Sequence, residues 1–393
     1  MTAIVNVEDL RKHAKRRLPK IFFDYIDGAA FSDTTALRNH KDFDNWCLIQ
    51  RVLALKGMPD LSCEFLGTRH TLPIMLGPVG FLGLYRGRGE ILCAEAAKEK
   101  GIPLCLSTFS IASLATLQRE VGGTLQFQLY MDCQRSFVEK LVESAEDAKV
   151  ETLFYTADTA VTSVRERDVR NGFRAVRRLN PTLIFSMMQR PLWCWDMWQS
   201  GIPSVEALAN YPEFGKGILE QASNLSGRLD SSIIWEDMKW LRKVWKKRLV
   251  IKGILSSDDA IKAIDHGADA IVVSNHGGRQ LDFANSTISI LPEIRKAVGK
   301  DYCVMIDGGF RRGSEVVIAL ALGASGVLLG RAYAFGLAAD GRSGVEKAIE
   351  IFAKEISITM KLMGVPSVDE LKQFGDRYIC LLYTSPSPRD PTK

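Results

Sequence analysis

The stretch LVIKGILSSDDAIKAIDHGADAIVVS, residues 249–274, decides the architecture. It opens on an apolar run, Leu249–Lys252, passes into a segment of helical spacing, Ser257–Gly267, and closes on a second apolar run, Ala270–Ser274. Runs this short and this uniformly apolar fit parallel strands buried on both faces, and the segment between them has the length of a crossover helix. The same alternation extends outward in both directions. Upstream lie Pro73–Gly77, Pro103–Ser107, Leu125–Tyr130 and Thr152–Ala157; downstream lie Cys303–Asp307 and Gly326–Leu329. Helix-like segments stand at Glu90–Lys100, Ser136–Glu146, Ser314–Gly323 and Val345–Met363. Eight strands alternating with helices predict an α/β fold, a (β/α)8 barrel of the TIM type. No GxGxxG follows the first run, which argues against a doubly wound dinucleotide-binding sheet.

One domain is expected over residues 1–380. Residues 1–65 precede the first strand and read as an N-terminal helical cap, because EDLRKHAKRRLPKIFFDYI keeps helical spacing with one interruption at Pro19. The gap between Ala157 and Leu249 is far longer than a strand-to-helix connection needs. Residues 159–234 are therefore expected as a long insertion after strand four, above the barrel mouth. It carries PLWCWDMW at 191–198. The tail LLYTSPSPRDPTK, 381–393, has three prolines and no periodicity. It is expected to be disordered, and its string resembles translated sequencing-adapter read-through more than native sequence.

Composition narrows the function classes. Hydrophobic residues make up 46% and charged residues 25% of the 393, which excludes a disordered, collagenous or coiled-coil chain. The net charge of +5, from 51 basic and 46 acidic residues, is too mild to argue for nucleic acid. The eight cysteines form no CxxC pair and show no metal-ligand spacing, so free thiols in a reducing, cytoplasmic compartment are expected and no metal site is. No stretch approaches the ~20 apolar residues of a membrane-spanning helix, and the N-terminus lacks the apolar core of a signal peptide.

In a barrel, function collects at the C-terminal ends of the strands. Polar and ionisable residues recur there in phase: Gln128 and Tyr130 after strand three, Thr156, Asp158 and Arg165 after four, Lys252 at five, SNHGGRQLD (274–282) after six, DGGFRRG (307–313) after seven, and Gly330–Arg331 after eight. Glycines 308, 309 and 330 with Arg311 and Arg331 suit a phosphate, since backbone N–H groups, helix N-termini and forked guanidiniums converge on it. His276 with Asp158 suits a base held by a carboxylate, and Arg165 with Arg279 suits a bidentate carboxylate clamp. Each feature also has a plainer reading: Gly-rich turns with solvated arginines, a structural histidine, and an interior ion pair for Lys252.

Together these residues resemble the FMN-dependent α-hydroxy-acid dehydrogenase and oxidase family, from about residue 5 to residue 380. SNHGGRQLD is highly specific to that family, and TADTAVTSVRERD, 156–168, looks most like its mandelate dehydrogenase version. The resemblance implies FMN as cofactor and oxidation of an (S)-2-hydroxy acid, lactate- or mandelate-like, to the 2-keto acid. It implies that His276 is the base and Asp158 its partner, with Tyr130 and Lys252 completing the catalytic set. Tyr25, Tyr130, Arg165 and Arg279 would hold the substrate. Pro78, Val79, Gly80, Ser107, Gln128, Thr156, Lys252 and Ser274 would line the flavin, and Asp307, Gly308, Gly309, Arg311, Gly330 and Arg331 would hold the ribityl phosphate. A homotetramer is implied in the same way. The chain departs from the family pattern at Ala160, where proline is usual, and Ser163, where glycine is. Phe109 would shorten the substrate pocket.

Gly80 falls where dehydrogenase members tend to carry glycine and oxidase members alanine, so electrons are expected to pass to a quinone or another acceptor. An oxygen-using oxidase is the alternative. A non-redox phosphate-binding lyase or isomerase, and a flavin-binding protein without turnover, are more remote. Six of the seven tryptophans fall between 193 and 245: Trp193, Trp195 and Trp198 stand in the insertion with Leu192 and Met197, the segment by which the membrane-associated members that this chain resembles dock, and the last three lie beside Lys239, Arg242, Lys243, Lys246, Lys247 and Arg248. Tryptophan beside lysine favours a lipid interface. Peripheral attachment to the inner face of the cell membrane is therefore expected.

Overall fold

Eight parallel strands close into a barrel: β1 Ile74–Leu76, β2 Leu104–Ser107, β3 Leu125–Leu129, β4 Thr152–Thr156, β5 Arg248–Ile254, β6 Ala270–Val273, β7 Cys303–Ile306 and β8 Gly326–Leu329. Their order around the barrel is the order of the chain, β8 closing onto β1 through Val327 opposite Ile74. The structure is a computed structural model and describes residues 3–172, 181–201, 203–209, 211–215 and 217–382. Each apolar run of the sequence holds one strand. Strands β1 to β4, β6 and β8 are buried along their whole length, as expected for a sheet covered on both faces.

The helices follow the local chemistry. Ser256 accepts a hydrogen bond from the Asp259 N–H and so starts Ser257–Asp265; Ser113 and Ser286 do the same for Leu114–Glu120 and Thr287–Val298. The last helix, Arg331–Met363, is longer than its sequence signal. It begins directly after β8 and is broken at Asp340 and Gly341, whose backbones leave the helical region.

The cap is helical as expected, with a break where Pro19 stands: Val7–Arg17, Lys20–Asp27 and Thr34–Lys41. It also carries a strand, Trp46–Leu48, paired antiparallel with Ile379–Leu381. Leu381 thus belongs to a sheet, and the rest of the expected tail, from 383 on, lies outside the described residues. Beyond the cap, the hairpin Cys63–Phe65 with Thr68–His70 packs under the barrel at the N-terminal strand ends, Phe65 lying against Gly326.

The insertion contains helices Pro181–Met188, Pro191–Ser200 and Ile218–Gly227. Its first part leans on the cap and the β1 loop: Trp193 is buried, donates to the Leu84 carbonyl (2.8 Å) and stacks near Phe22. The later tryptophans and the basic run do not form one exposed surface, although Lys247 lies 5.7 Å over the Trp245 ring. Trp245 is fully buried, Trp240 lies under Arg135, and Trp235 packs on His266. The basic run sits at the opposite end of the barrel, where Arg242 pairs with Asp269 and Lys247 with Glu151, just before β6 and β4. Helices Pro181–Met188 and Pro191–Ser200 of the insertion expose Ile184, Phe185, Met188, Leu192, Trp195 and Trp198.

Candidate active site

A cavity of about 1200 Å³, open mouth included, occupies the C-terminal end of the barrel. Eighteen of the residues singled out one by one in the sequence line it: Tyr25, Pro78, Val79, Gly80, Ser107, Phe109, Tyr130, Thr156, Arg165, Lys252, His276, Arg279, Asp307, Gly308, Gly309, Arg311, Gly330 and Arg331. Gln128, Ser274 and Asp158 stand directly behind that wall, each hydrogen-bonded to a residue in it.

His276 occupies a left-handed backbone position, φ 57°, and its N–H donates to Ser274 Oγ. Its Nδ1 lies 2.9 Å from Asp158 Oδ1, and its Nε2 faces the cavity, 3.4 Å from the Tyr130 hydroxyl. Burial lowers the imidazole pKa, and Lys252 and Arg165 lower it further; Asp158 opposes them without reversing the direction. Burial works against the Asp158 carboxylate too, but His276 and Lys252 outweigh it and hold its pKa below the ordinary value. The pair at neutral pH is therefore a neutral imidazole on a carboxylate, the state a general base needs.

Lys252 is buried at the end of β5, 3.0 Å from Asp307 Oδ2 and 2.8 Å from Ser274 Oγ. Burial disfavours its charge, yet Asp307 and Asp158 raise its pKa, so a permanent cation stands in the barrel end. Beside it, Ser107 donates to Gln128 Oε1 and the Gln128 amide donates to Thr156 Oγ1, a polar ladder across β2, β3 and β4.

The far side of the cavity asks for an anion. Burial, then Arg279 and Arg311, push the Arg331 guanidinium well below its ordinary pKa, and burial lowers that of Arg311. Burial and the same two arginines bring His40 down to about 4. Arg331 spends donors on the carbonyls of Ile26, Gly28 and Gly277, tying cap to barrel. Gly308 and Gly309 have φ of 95° and 91°, and a Cβ on Gly309 would meet the Asn39 carbonyl at 2.1 Å, so only glycine fits. Asp307 Oδ1 is buried without a hydrogen-bond partner. An FMN fits this donor set: its phosphate would satisfy the arginines and the glycine turn, a ribityl hydroxyl would donate to Asp307 Oδ1, and its ring would lie along the Ser107–Gln128–Thr156 ladder beside Lys252.

The substrate side is built from the cap as well as the barrel. The Arg279 guanidinium carbon lies 4.9 Å from the Tyr25 ring centroid, and its Nη1 donates to the Tyr25 and Gly28 carbonyls, leaving the rest of the fork for a ligand. Arg165, 7% exposed, lies 5.9 Å from the same ring. Phe109 lines the cavity, stacked on Phe81 at 5.8 Å and tilted against Tyr130 at 4.9 Å. A Cβ on Gly80 would meet that of Phe109 at 3.0 Å, a contact that a shift of Phe109 by a few tenths of an ångström would relieve.

Several contributors went unread in the sequence. Tyr85, Thr159, Val161, Thr162, Leu229 and Gln280 also line the cavity. Gln280 donates to the carbonyls of Asp158 and Val161, which fixes the loop after β4. Asp282 accepts from Ser32 and Thr35, and Asn275 and Asn39 exchange amide hydrogen bonds at 2.8 and 2.7 Å; both clamp the cap to the β6 loop. Gln280 and Asp282 stand inside the SNHGGRQLD string and were open to question there; Leu229, in the insertion, carries no sequence signal. Among the described residues no cluster suits a metal ion.

The fold and the donor set of the cavity suit the class of flavin-dependent barrels that oxidise 2-hydroxy acids. Residues 14–375 match the FMN-dependent dehydrogenase family model, and the chain belongs to that family. It is 42% identical over 371 residues to an L-lactate dehydrogenase of Caulobacter sp. (strain K31), covering 94% of this chain and 97% of that protein. The crystal structure of the monotopic membrane protein (S)-mandelate dehydrogenase superposes with a TM-score of 0.91 at 36% identity, covering 97% of this chain and all of that one. A Pediococcus acidilactici (putative) lactate oxidase superposes with a TM-score of 0.81 at 31% identity, covering 95% and 94%.

Proposed function

We propose that the chain is an FMN-dependent (S)-2-hydroxy-acid dehydrogenase in which His276 is the base. The observation that carries this reading is the placing of His276, whose Nε2 meets the Tyr130 hydroxyl at 3.4 Å on the cavity side while Nδ1 is held by Asp158. Arg165 and Arg279 pin the substrate carboxylate, which fixes the α-carbon between His276 and the flavin ring. His276 takes the proton, and Asp158 stabilises the imidazolium that forms. FMN, when bound, supplies the two-electron sink. Lys252 places its charge where negative charge gathers on the ring. Phe109 shortens the pocket and favours lactate-sized or small aryl side chains over the largest ones.

The acceptor in this reading is a quinone or another electron carrier. The chain meets the membrane peripherally, through the apolar face of helices Pro181–Met188 and Pro191–Ser200. The described residues include no helix long and apolar enough to cross a membrane.

The test is anaerobic. The purified protein is yellow, and (S)-2-hydroxy acids bleach it in the absence of air. His276→Asn keeps the flavin and slows bleaching by ~10²–10⁴-fold or more. Near-normal bleaching in that variant removes His276 from the role.

A further inference from the structure

A second cavity, about 810 Å³ with its mouth included, backs onto the first. It lies outside the barrel wall, between the ends of β4 and β5 and the segment 230–238, and shares Thr156 and Thr159 with the flavin cavity. Strand alternation explains the arrangement. Thr156 faces inward, so its neighbour Tyr155 faces outward into the second cavity. The lining is apolar and aromatic, with Met131, Ile233, Trp235 and Met238 around the Tyr155 ring. Its charged lining residues are Asp230 and Asp259, both acidic, and the nearby cation Arg135, which is not in the lining, is shared between Asp230 and Asp237. The carboxylate of Asp230 accepts from Ser232 and that of Asp259 from Ser256. A negatively charged ligand, the hydroxy-acid substrate included, is thereby disfavoured.

Tyr155 is 5% exposed, and its hydroxyl has no hydrogen-bond partner among the described residues. Burial raises its pKa, so it remains a donor at neutral pH. A buried phenol normally finds a partner, and one that opens into an aromatic cavity lacks only an acceptor.

We propose that this cavity binds a neutral quinone, with Tyr155 donating to one of its carbonyl oxygens and the ring lying against Trp235. The inference rests on the hydroxy-acid dehydrogenase reading and names the site of its acceptor. The shared residues Thr156 and Thr159 put one layer of side chains between the two ligands. Two electrons would pass from reduced FMN to the quinone with two protons, one from the reduced flavin and one that His276 took from the substrate; the flavin would return to its oxidised state, His276 to its neutral form, and the quinone would leave as its hydroquinone.

The experiment uses the FMN-loaded protein and 1,4-naphthoquinone. Binding is measured calorimetrically on the oxidised protein without substrate, and the two half-reactions are followed separately by stopped flow. Tyr155→Phe, which keeps the ring, weakens naphthoquinone binding by about five- to tenfold, the worth of one neutral hydrogen bond. Trp235→Ala weakens it by about tenfold or more. Both variants slow reoxidation by naphthoquinone at sub-saturating concentration while substrate bleaching keeps its wild-type rate. Unchanged binding in both variants, or displacement of naphthoquinone by a 2-hydroxy acid, overturns the assignment while leaving the dehydrogenase reading intact. A wild-type holoenzyme that no 2-hydroxy acid bleaches overturns the dehydrogenase reading instead, whatever the calorimetry gives.

Discussion

Gly253 lies directly beneath Asp158: a methyl group on the glycine would come within 2.7 Å of the aspartate Cβ. Asp158 follows β4 and His276 follows β6, so their hydrogen bond must pass over β5, the strand between them. The ladder shifts register between Lys252 and Ile254, and Gly253 takes φ 107°, a bulge that lowers the top of β5. The base and its carboxylate meet because one strand end has no side chain.

Gly253→Ala is expected to act on catalysis beyond its cost in stability. Left-handed strain alone costs ~1–3 kcal/mol. Displacing Asp158 by a fraction of an ångström misaligns His276, and small misplacements cost ~10²-fold in rate. Gly267→Ala is the control. That residue has φ 84° but no neighbour nearer than 3.4 Å, so it bears the strain without touching the site. Thermal melts and anaerobic bleaching rates separate the two: both variants melt lower, and only Gly253→Ala bleaches slowly. Equal bleaching rates would remove the link between the bulge and the base.

The acid limb of kcat/KM is expected below the ordinary histidine value of ~6.5. The sign follows from the site. His276 works as the neutral base, which exists above its pKa, and burial with Lys252 and Arg165 lowers that pKa. Activity should therefore persist as pH falls through 6.5 and fail only lower. Asp158→Asn removes the one group that raises the imidazole pKa, so the limb moves further down while the plateau drops by about 10²–10⁴-fold. Steady-state profiles with a dye acceptor read both quantities, and a limb above 6.5 in the wild type contradicts the assignment.

The cap is expected to hang on one amide pair. Asn39 and Asn275 satisfy each other in a buried position, and the Asn39 carbonyl touches the glycine turn at Gly309. Asn39→Ala leaves Asn275 short of partners and should cost ~1–3 kcal/mol. It should also speed FMN release, since the same helix brings His40 to Arg311 and Arg331. Leu37→Ala on that helix, 65% exposed, should do neither. Melting temperature and flavin release into a desalting column measure the contrast.

How far apart in the chain two partners lie decides how readable they are in the sequence. Uniform apolar runs have one stable use, a doubly covered parallel strand, so the barrel and the phase of its functional edge followed from runs such as Ala270–Ser274. His276, Arg279 and Lys252 stood at that edge and needed no distant information. Gly253 was quoted inside the decisive stretch and passed over, because its neighbour Asp158 is remote in the chain and its φ depends on that contact. Asn39 with Asn275, and Asp282 with Ser32, are pairs about 240 to 250 residues apart. Nothing local distinguishes such residues from solvated polar ones. The tryptophans misled for a related reason. Adjacency in sequence suggested one surface, while helix Asp237–Val244 takes the chain to the opposite end of the barrel before β5 begins at Arg248, and the basic run lies there.

Membrane attachment is accordingly expected from a narrower surface than the sequence suggested. Leu192, Trp195 and Trp198 follow one another at intervals of three along Pro191–Ser200, all more than half exposed, and Ile184, Phe185 and Met188 continue the face on the preceding helix. Exposed apolar patches of this kind mark contact sites, and tryptophan suits a lipid interface. Charge comes from the cap. Arg190 donates to the Leu18 carbonyl, which brings the patch to the end of Val7–Arg17, where Lys15 and Arg16 are exposed. Each cation near anionic lipid is worth ~1 kcal/mol. Vesicles of anionic phospholipid should sediment the wild type at low salt and release part of it at high salt. Trp195→Ser with Trp198→Ser should leave the protein in the supernatant with its flavin and bleaching rate intact, since neither ring reaches the cavity. Trp235→Ala should sediment like the wild type. Should the double variant still sediment, or the wild type stay in solution, the patch serves some other contact.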